Sequence, residues 1–283
     1  MKIKNLILCT AVSLTALSFY SCKKDNSTTS TDQEIATTFE LSGNDAVTEN
    51  ITEDNNDILM ESAVDNNFSG NTPVTTTQSM NILGCATVTV TPLQGFPKNI
   101  SIDFGSGCTS ANGVTRKGKI YITVSDSLRK SGSVSVMTFD NYYVNGFKVE
   151  GTITWTNTSQ PGTKSWERKC EDGKITAVDG RYWLHSGIKN IAQVEGAGTP
   201  HNLLDDVFSI TGHHTVTNAK GETRTSTIIE PLEKKVICEN VDKGKVKIEG
   251  ASHTAIVDFG DGTCDRIATI SIDGRDPKTI LLR

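Results

Sequence analysis

The chain has 283 residues, with 28 Lys+Arg against 33 Asp+Glu, and its 36% hydrophobic content is enough for one large domain or two small ones. A pI near 5.6 and the absence of any Lys/Arg run longer than a pair exclude the basic footprint of a nucleic-acid binder. Threonine is over-used, at 37 residues, many alternating with Val or Ile, which favours strands over helices.

Met1 to Asn5 is a short basic start, and Leu6 to Tyr20 is an apolar stretch too short and wrongly flanked to span a bilayer as a mature helix. Residues 1–21 therefore read as a signal peptide. The stretch ends in Phe19-Tyr20-Ser21-Cys22 followed by Lys23-Lys24-Asp25, the pattern of a bacterial lipoprotein cleavage site with Cys22 as the acylated residue. The bulky pair before Ser21 resembles lipoproteins of the Bacteroidota. Ordinary cleavage nearby, with Cys22 a free thiol, is the alternative. Removal of residues 1–21 leaves 26 Lys+Arg against 33 acids, a mature charge of −7. Acyl chains on Cys22 would hold the chain at a membrane surface without spanning it. Residues 22–32 have almost no apolar content and predict a flexible tether reaching roughly 30 Å.

Residues 33–79 read as an acidic helical and linker segment. Val47 and Ile51 are four apart, as are Leu59 and Ala63, and Asn55-Asn56 predicts a split into two short helices. Seven acids and no Lys or Arg fall between Asp45 and Asp65. A solvated helix face is the expected explanation, with cation binding as the alternative.

From residue 80 to 283 the texture becomes period-two alternation, as in Thr87-Val88-Thr89-Val90, Ile120-Tyr121-Ile122-Thr123-Val124 and Thr152-Ile153-Thr154-Trp155-Thr156. Turn signals such as Asn112-Gly113, Asn145-Gly146 and Asp273-Gly274 punctuate it, and connections this short leave no room for crossover helices. The expected fold is mainly β, an antiparallel meander curved into a sandwich or partly closed barrel, with the short acidic helices packed on it. Residues 85–124 and 238–272 share the order Cys, strand, turn, Asp-Phe-Gly to Cys, strand, which suggests an internal duplication.

Cys9 leaves with the signal peptide, so the mature chain keeps Cys85, Cys108, Cys170, Cys238 and Cys264 beside the lipidated residue. Four cysteines at repeated places in an exported protein suggest two disulfides, with three connectivities open. Hairpins turning about Phe96 and Ala251 would pair Cys85 with Cys108 and Cys238 with Cys264. Cys170, beside Arg168 and Lys169, is left as a spare thiol whose pKa those cations could depress. Zinc held by the cysteines is the rival, but neither a C-x-x-C pair nor a paired-histidine motif is present.

The lipoprotein start together with FPKNISIDFGSGCTSANGVTRKGKI, FDNYYVNGFKVEGTITWTN, DDVFSITGHHTVTNAKGE and AIVDFGDGTCDRIATISIDG resembles a group of Bacteroidota lipoproteins over most of the mature chain. The resemblance implies an exported β fold and brings no activity or catalytic residues. Asp258-Phe259-Gly260-Asp261-Gly262 alone also resembles the turn of polycystic-kidney-disease-type domains, and is taken as shared turn chemistry. Asp258, Asp261 and Asp265 are candidate calcium ligands, the only cofactor the sequence suggests.

Five histidines (His185, His201, His213, His214 and His253) invite a metal or catalytic reading, yet no H-E-x-x-H or G-x-S-x-G is present. Adjacent strand residues point to opposite faces, so His213 and His214 are not expected to share one metal. Ser127-x-x-Lys130 matches S-x-x-K but lies between predicted strands. Tyr142, Tyr143, Trp155 and Trp183 belong to an aromatic-rich stretch and are candidate ligand-binding residues, with core packing as the alternative. If extended, Tyr142-Tyr143 places one ring on each face.

These features point to a non-enzymatic lipoprotein of the cell envelope, expected at the outer membrane, with a binding or structural role. Its expected partners are the bilayer, through acylated Cys22, and an envelope protein, glycan or apolar ligand. The alternatives are a carrier enclosing a lipid or other apolar ligand in a curved sheet, and a hydrolase.

Overall fold

A computed structural model describes residues 26–68, 78–111 and 113–282, with side-chain surroundings from residue 31 onward. The signal peptide 1–21 and the anchor residue Cys22 lie outside the described residues.

Helix α1 runs from Asn26 to Asp65, 40 residues with no proline. Its hydroxyl and amide side chains bond back to carbonyls one turn earlier, as Ser42 to Thr38 O, Thr52 to Thr48 O and Ser62 to Ile58 O, all at 2.7 Å. These hydroxyls are thereby satisfied within the helix itself. The helix ends where Asn67 takes a left-handed conformation (φ 57°) and the Phe68 N–H reaches back to Ala63 O at 2.9 Å.

Fourteen antiparallel strands follow in a meander. They are β1 (Thr87–Thr91), β2 (Lys98–Asp103), β3 (Cys108–Thr109), β4 (Thr115–Val124), β5 (Val134–Val144), β6 (Phe147–Asn157) and β7 (Lys164–Thr176). Then come β8 (Tyr182–Glu195), β9 (Val207–Asn218), β10 (Thr223–Lys235), β11 (Lys243–Glu249), β12 (Thr254–Asp261), β13 (Ile267–Ile272) and β14 (Lys278–Leu281). Spatial order follows chain order from β1 to β14, apart from the two-residue β3, which pairs only with β4. The pairing is open, with β1 and β14 as its two ends. Alternation sends Ile120, Ile122 and Val124 of β4, Trp166 of β7, and Val246 and Ile248 of β11 inward, while threonines and charged residues share the other face.

The mainly β antiparallel meander is as expected, but the helix differs in four ways. It is one helix rather than two, and it begins within the expected tether. Asn55 and Asn56 sit mid-helix and buried, so enclosure overrides their low propensity. The helix is also not packed on the outside of a β domain. Every residue from Thr48 to Val64 is buried, which requires protein on all sides of the helix, and the sheet curves around it. The space that a second sheet would fill in a sandwich is occupied by α1.

The acidic face is the fourth correction: Asp45, Glu49, Glu53, Asp54, Asp57 and Glu61 are buried, and of the seven acids only Asp65 is exposed.

Two disulfides join Cys85 to Cys108 and Cys238 to Cys264, with Cα separations of 6.0 and 5.2 Å, and Cys170 stays a thiol. The two segments share one local build. Asp103 Oδ1 accepts from Gly105 N and Asp258 Oδ1 from Gly260 N, and the phenylalanines between, Phe104 and Phe259, are both buried. Each bridge closes a loop of 23 or 26 residues, so replacing either pair by serines should cost about 3 kcal/mol in denaturant unfolding. Peptide mapping without reductant is expected to recover the two local links; a Cys85–Cys238 link would contradict this pairing.

Candidate functional site

The residues that carry chemistry meet inside, along the seam between α1 and the sheet. Arg116 of β4 donates to both oxygens of Asp54, through Nε to Oδ2 at 3.1 Å and through Nη2 to Oδ1. Arg168 of β7 lies 2.6 Å from Glu53, Lys189 of β8 contacts Glu49, and Lys234 of β10 donates to Asp57 at 2.8 Å. Near the start of the helix Arg224 of β10 meets Glu34 at 3.2 Å. Each base except Arg224 faces an acid that is itself almost fully enclosed.

The disulfide segments support this seam. Ser110, two residues past Cys108, accepts from Arg116 Nη1 at 2.8 Å and donates to Ile82 O. Near the other bridge, Cys238 O accepts from Lys234 Nζ at 2.7 Å, and the Val241 N–H bonds Asn50 Oδ1 at 2.7 Å. Covalent closure thus holds the polar partners of two buried pairs in place.

At the middle of the seam, a bulge in β7 between Cys170 and Gly173 opens the sheet against β8. Here Cys170 Sγ lies 3.6 Å from His185 Nδ1, and Gly187 lets His214 of β9 approach so closely that a Cβ at 187 would stand 2.2 Å from that of His214. Both ring nitrogens of His214 face carboxylates: Nε2 is 2.5 Å from Asp45 Oδ1, and Nδ1 is 3.4 Å from Glu49 Oε1. A cavity of about 20 Å³, large enough for one water, is lined by Thr48, Cys170, His185, Lys189 and His214 among others.

Burial sets the titration of these groups. It pushes the Cys170 thiol up to about 11 despite Arg168 and Lys189 nearby, which reverses the depression expected from its basic neighbours. Burial, helped by neighbouring cations, takes His185 down to about 3. At neutral pH the pair is thiol and neutral imidazole, not an activated nucleophile with its base. Burial also raises Asp57 to about 6 and Asp206 to about 7, with Lys234 and Arg129 pulling the other way.

The residues singled out from sequence lie elsewhere. Asp258, Asp261 and Asp265 line one open surface depression, but each spends an oxygen on its own turn, accepting from Gly260, Thr263 and Ile267 N–H groups respectively. They are not among the described groups whose metal-ligating atoms come within 4.8 Å of one another, so the structure does not bring them together as a calcium cage. Tyr142, Trp155 and Trp183 are core side chains: Tyr142 packs on Phe139 and Phe104, and Trp183 Nε1 donates to Thr48 Oγ1 at 2.8 Å. Only Tyr143 faces outward, under Lys117 Nζ at 4.0 Å from the ring centre. His213 is exposed and His214 buried, on opposite faces as expected. Ser127 and Lys130 stand in the β4–β5 connection, where Lys130 pairs with Asp126.

Sequence reasoning missed the basic partners. Their signal was phase: Arg168 shares the parity of Trp166, Lys189 that of Trp183 and Ile191, and Lys234 that of Leu232.

No family model matches this chain, and no curated protein or solved structure is significantly similar to it.

Glu61 offers a direct reading of the seam's electrostatics. Burial raises it from its ordinary 4.5 to about 7, although the Leu83 N–H bonds Oε1 at 3.0 Å. The native state therefore holds a proton that the unfolded state releases between those values. Its contribution is fully present below pH 4.5 and lost as pH rises through 7. Glu61→Gln should gain on the order of 3 kcal/mol relative to wild type between pH 5 and pH 8. Urea unfolding at both pH values checks this, and a difference independent of pH would contradict it.

Proposed function

We propose that this protein is a lipid-anchored component of the bacterial cell envelope with a non-enzymatic, binding or architectural role. The observation that carries this reading is the occupied interior. Helix α1 fills the concavity of the sheet, four of its buried acids are matched by inward bases, and the cavity beside His214 at the seam has room for one water. A carrier of lipid needs a chamber of several hundred Å³ lined by apolar groups, and the curve of this sheet is already taken. A partner therefore has the outer face and the rims available to it.

The quiescent Cys170–His185 pair supports a role without covalent catalysis. Two disulfides suit an oxidising compartment, and no described helix is long and apolar enough to cross a membrane. The anchor reading rests on Ser21-Cys22-Lys23-Lys24 and the apolar stretch before it. Only three residues separate Cys22 from the first residue of α1, so the lipid would be joined almost directly to the helix that the sheet encloses.

Cys22→Ala tests the proposal. The variant is expected to leave the membrane fraction for the soluble fraction, whereas wild type remains with membranes through a high-salt wash. Continued sedimentation of the variant with membranes would overturn the anchor.

A further inference from the structure

We propose that Asp45, Glu49 and His214 form a buried site for one divalent transition-metal ion, with zinc the best match to the donor set. This inference is independent of the envelope role.

Asp45 and Glu49 lie one turn apart on α1, and His214 reaches them from β9 past Gly187. One ligand atom from each of the three falls within 4.8 Å of the others, and all three side chains are buried. Two further observations point to a ligand. First, neither Asp45 oxygen nor Glu49 Oε2 accepts an aligned hydrogen bond, although each is out of contact with solvent. A buried carboxylate left in that condition costs several kcal/mol unless a cation answers it. Second, the water-sized cavity borders His214 and the bulge, so water has a place at the imidazole end of the cluster.

The charges agree. Lys189 contacts Glu49 Oε1 and Arg168 contacts Glu53, so among the described residues Asp45 pairs with the His214 imidazole and with no Lys or Arg. Imidazole with two carboxylates suits zinc, whereas calcium and magnesium need six or more oxygens, more than these residues supply. An entry route is available at the bulge. His185 and Ser186 line both the inner cavity and an outer depression of about 530 Å³, so a thin wall separates the site from solvent.

The competing account is that His214 serves as an imidazolium between the two acids. The test uses full-length protein in detergent, stripped with chelator and titrated with Zn²⁺ by calorimetry and with Co²⁺ by visible absorption. One equivalent is expected to bind with Kd below about 1 μM, and His214→Gln should weaken binding at least about tenfold. X-ray absorption at the zinc edge of the loaded wild type is expected to show one imidazole with oxygen ligands, and this decides the matter even if the variant fails to fold. Absence of saturable binding, affinity unchanged by His214→Gln, or a first shell of sulfur or of oxygen alone would each overturn the proposal.

Discussion

Buried acids on one enclosed helix set the terms for everything else in this molecule. From Thr48 to Val64 the helix has no solvent-facing side, yet it carries Glu49, Glu53, Asp54, Asp57 and Glu61 within that span. Moving a carboxylate out of water without a partner costs several kcal/mol, more than one packed aliphatic side chain returns. The sheet answers with Arg116 on β4, Arg168 on β7, Lys189 on β8 and Lys234 on β10, each at the height of its acid. Glu61 faces no base among the described residues and responds by holding its proton toward neutrality. Such pairs define where the helix sits more than they add to stability, since a turn or slide of α1 would separate all of them together.

The same constraint accounts for features that look unrelated. The bridges Cys85–Cys108 and Cys238–Cys264 stand beside the segments that bond Arg116 and Lys234, so each stabilises a hairpin and also fixes a polar neighbour of a buried pair. The close approach of β8 and β9 at Gly187 is what lets His214 reach Asp45. With its interior committed to this seam, the molecule has its rims and its threonine-rich exterior left for recognition.

Much of the architecture was legible in the sequence. Period-two alternation located the strands, short Gly- and Asn-containing turns implied a meander, and the repeated Cys-strand-turn-strand order gave the disulfide pairing. The helix was misread because a run of acids without a base is ordinarily a solvated face, and propensity at Asn55-Asn56 argued for a break. Both arguments are local, and the deciding partners lie far along the chain: Arg116 is 62 residues from Asp54, and Lys234 is 177 from Asp57. The candidate aromatics illustrate the converse. Tyr142, Trp155 and Trp183 occupy inward strand positions, and that phase placed them in the core before any ligand needed to be invoked.

A double-mutant cycle on Arg116 and Asp54 tests the dependence of the fold on its buried charge pairs most directly. Both side chains are almost wholly enclosed and joined by two hydrogen bonds. Arg116→Met and Asp54→Leu alone should each cost about 3–5 kcal/mol, because each strands one buried charge. The double variant should recover most of that loss, with a coupling of 2 kcal/mol or more, at about the upper range seen for contacting residues. Single variants that each cost less than about 1 kcal/mol and simply add would contradict the account, showing that the sheet encloses the helix without reference to its charge.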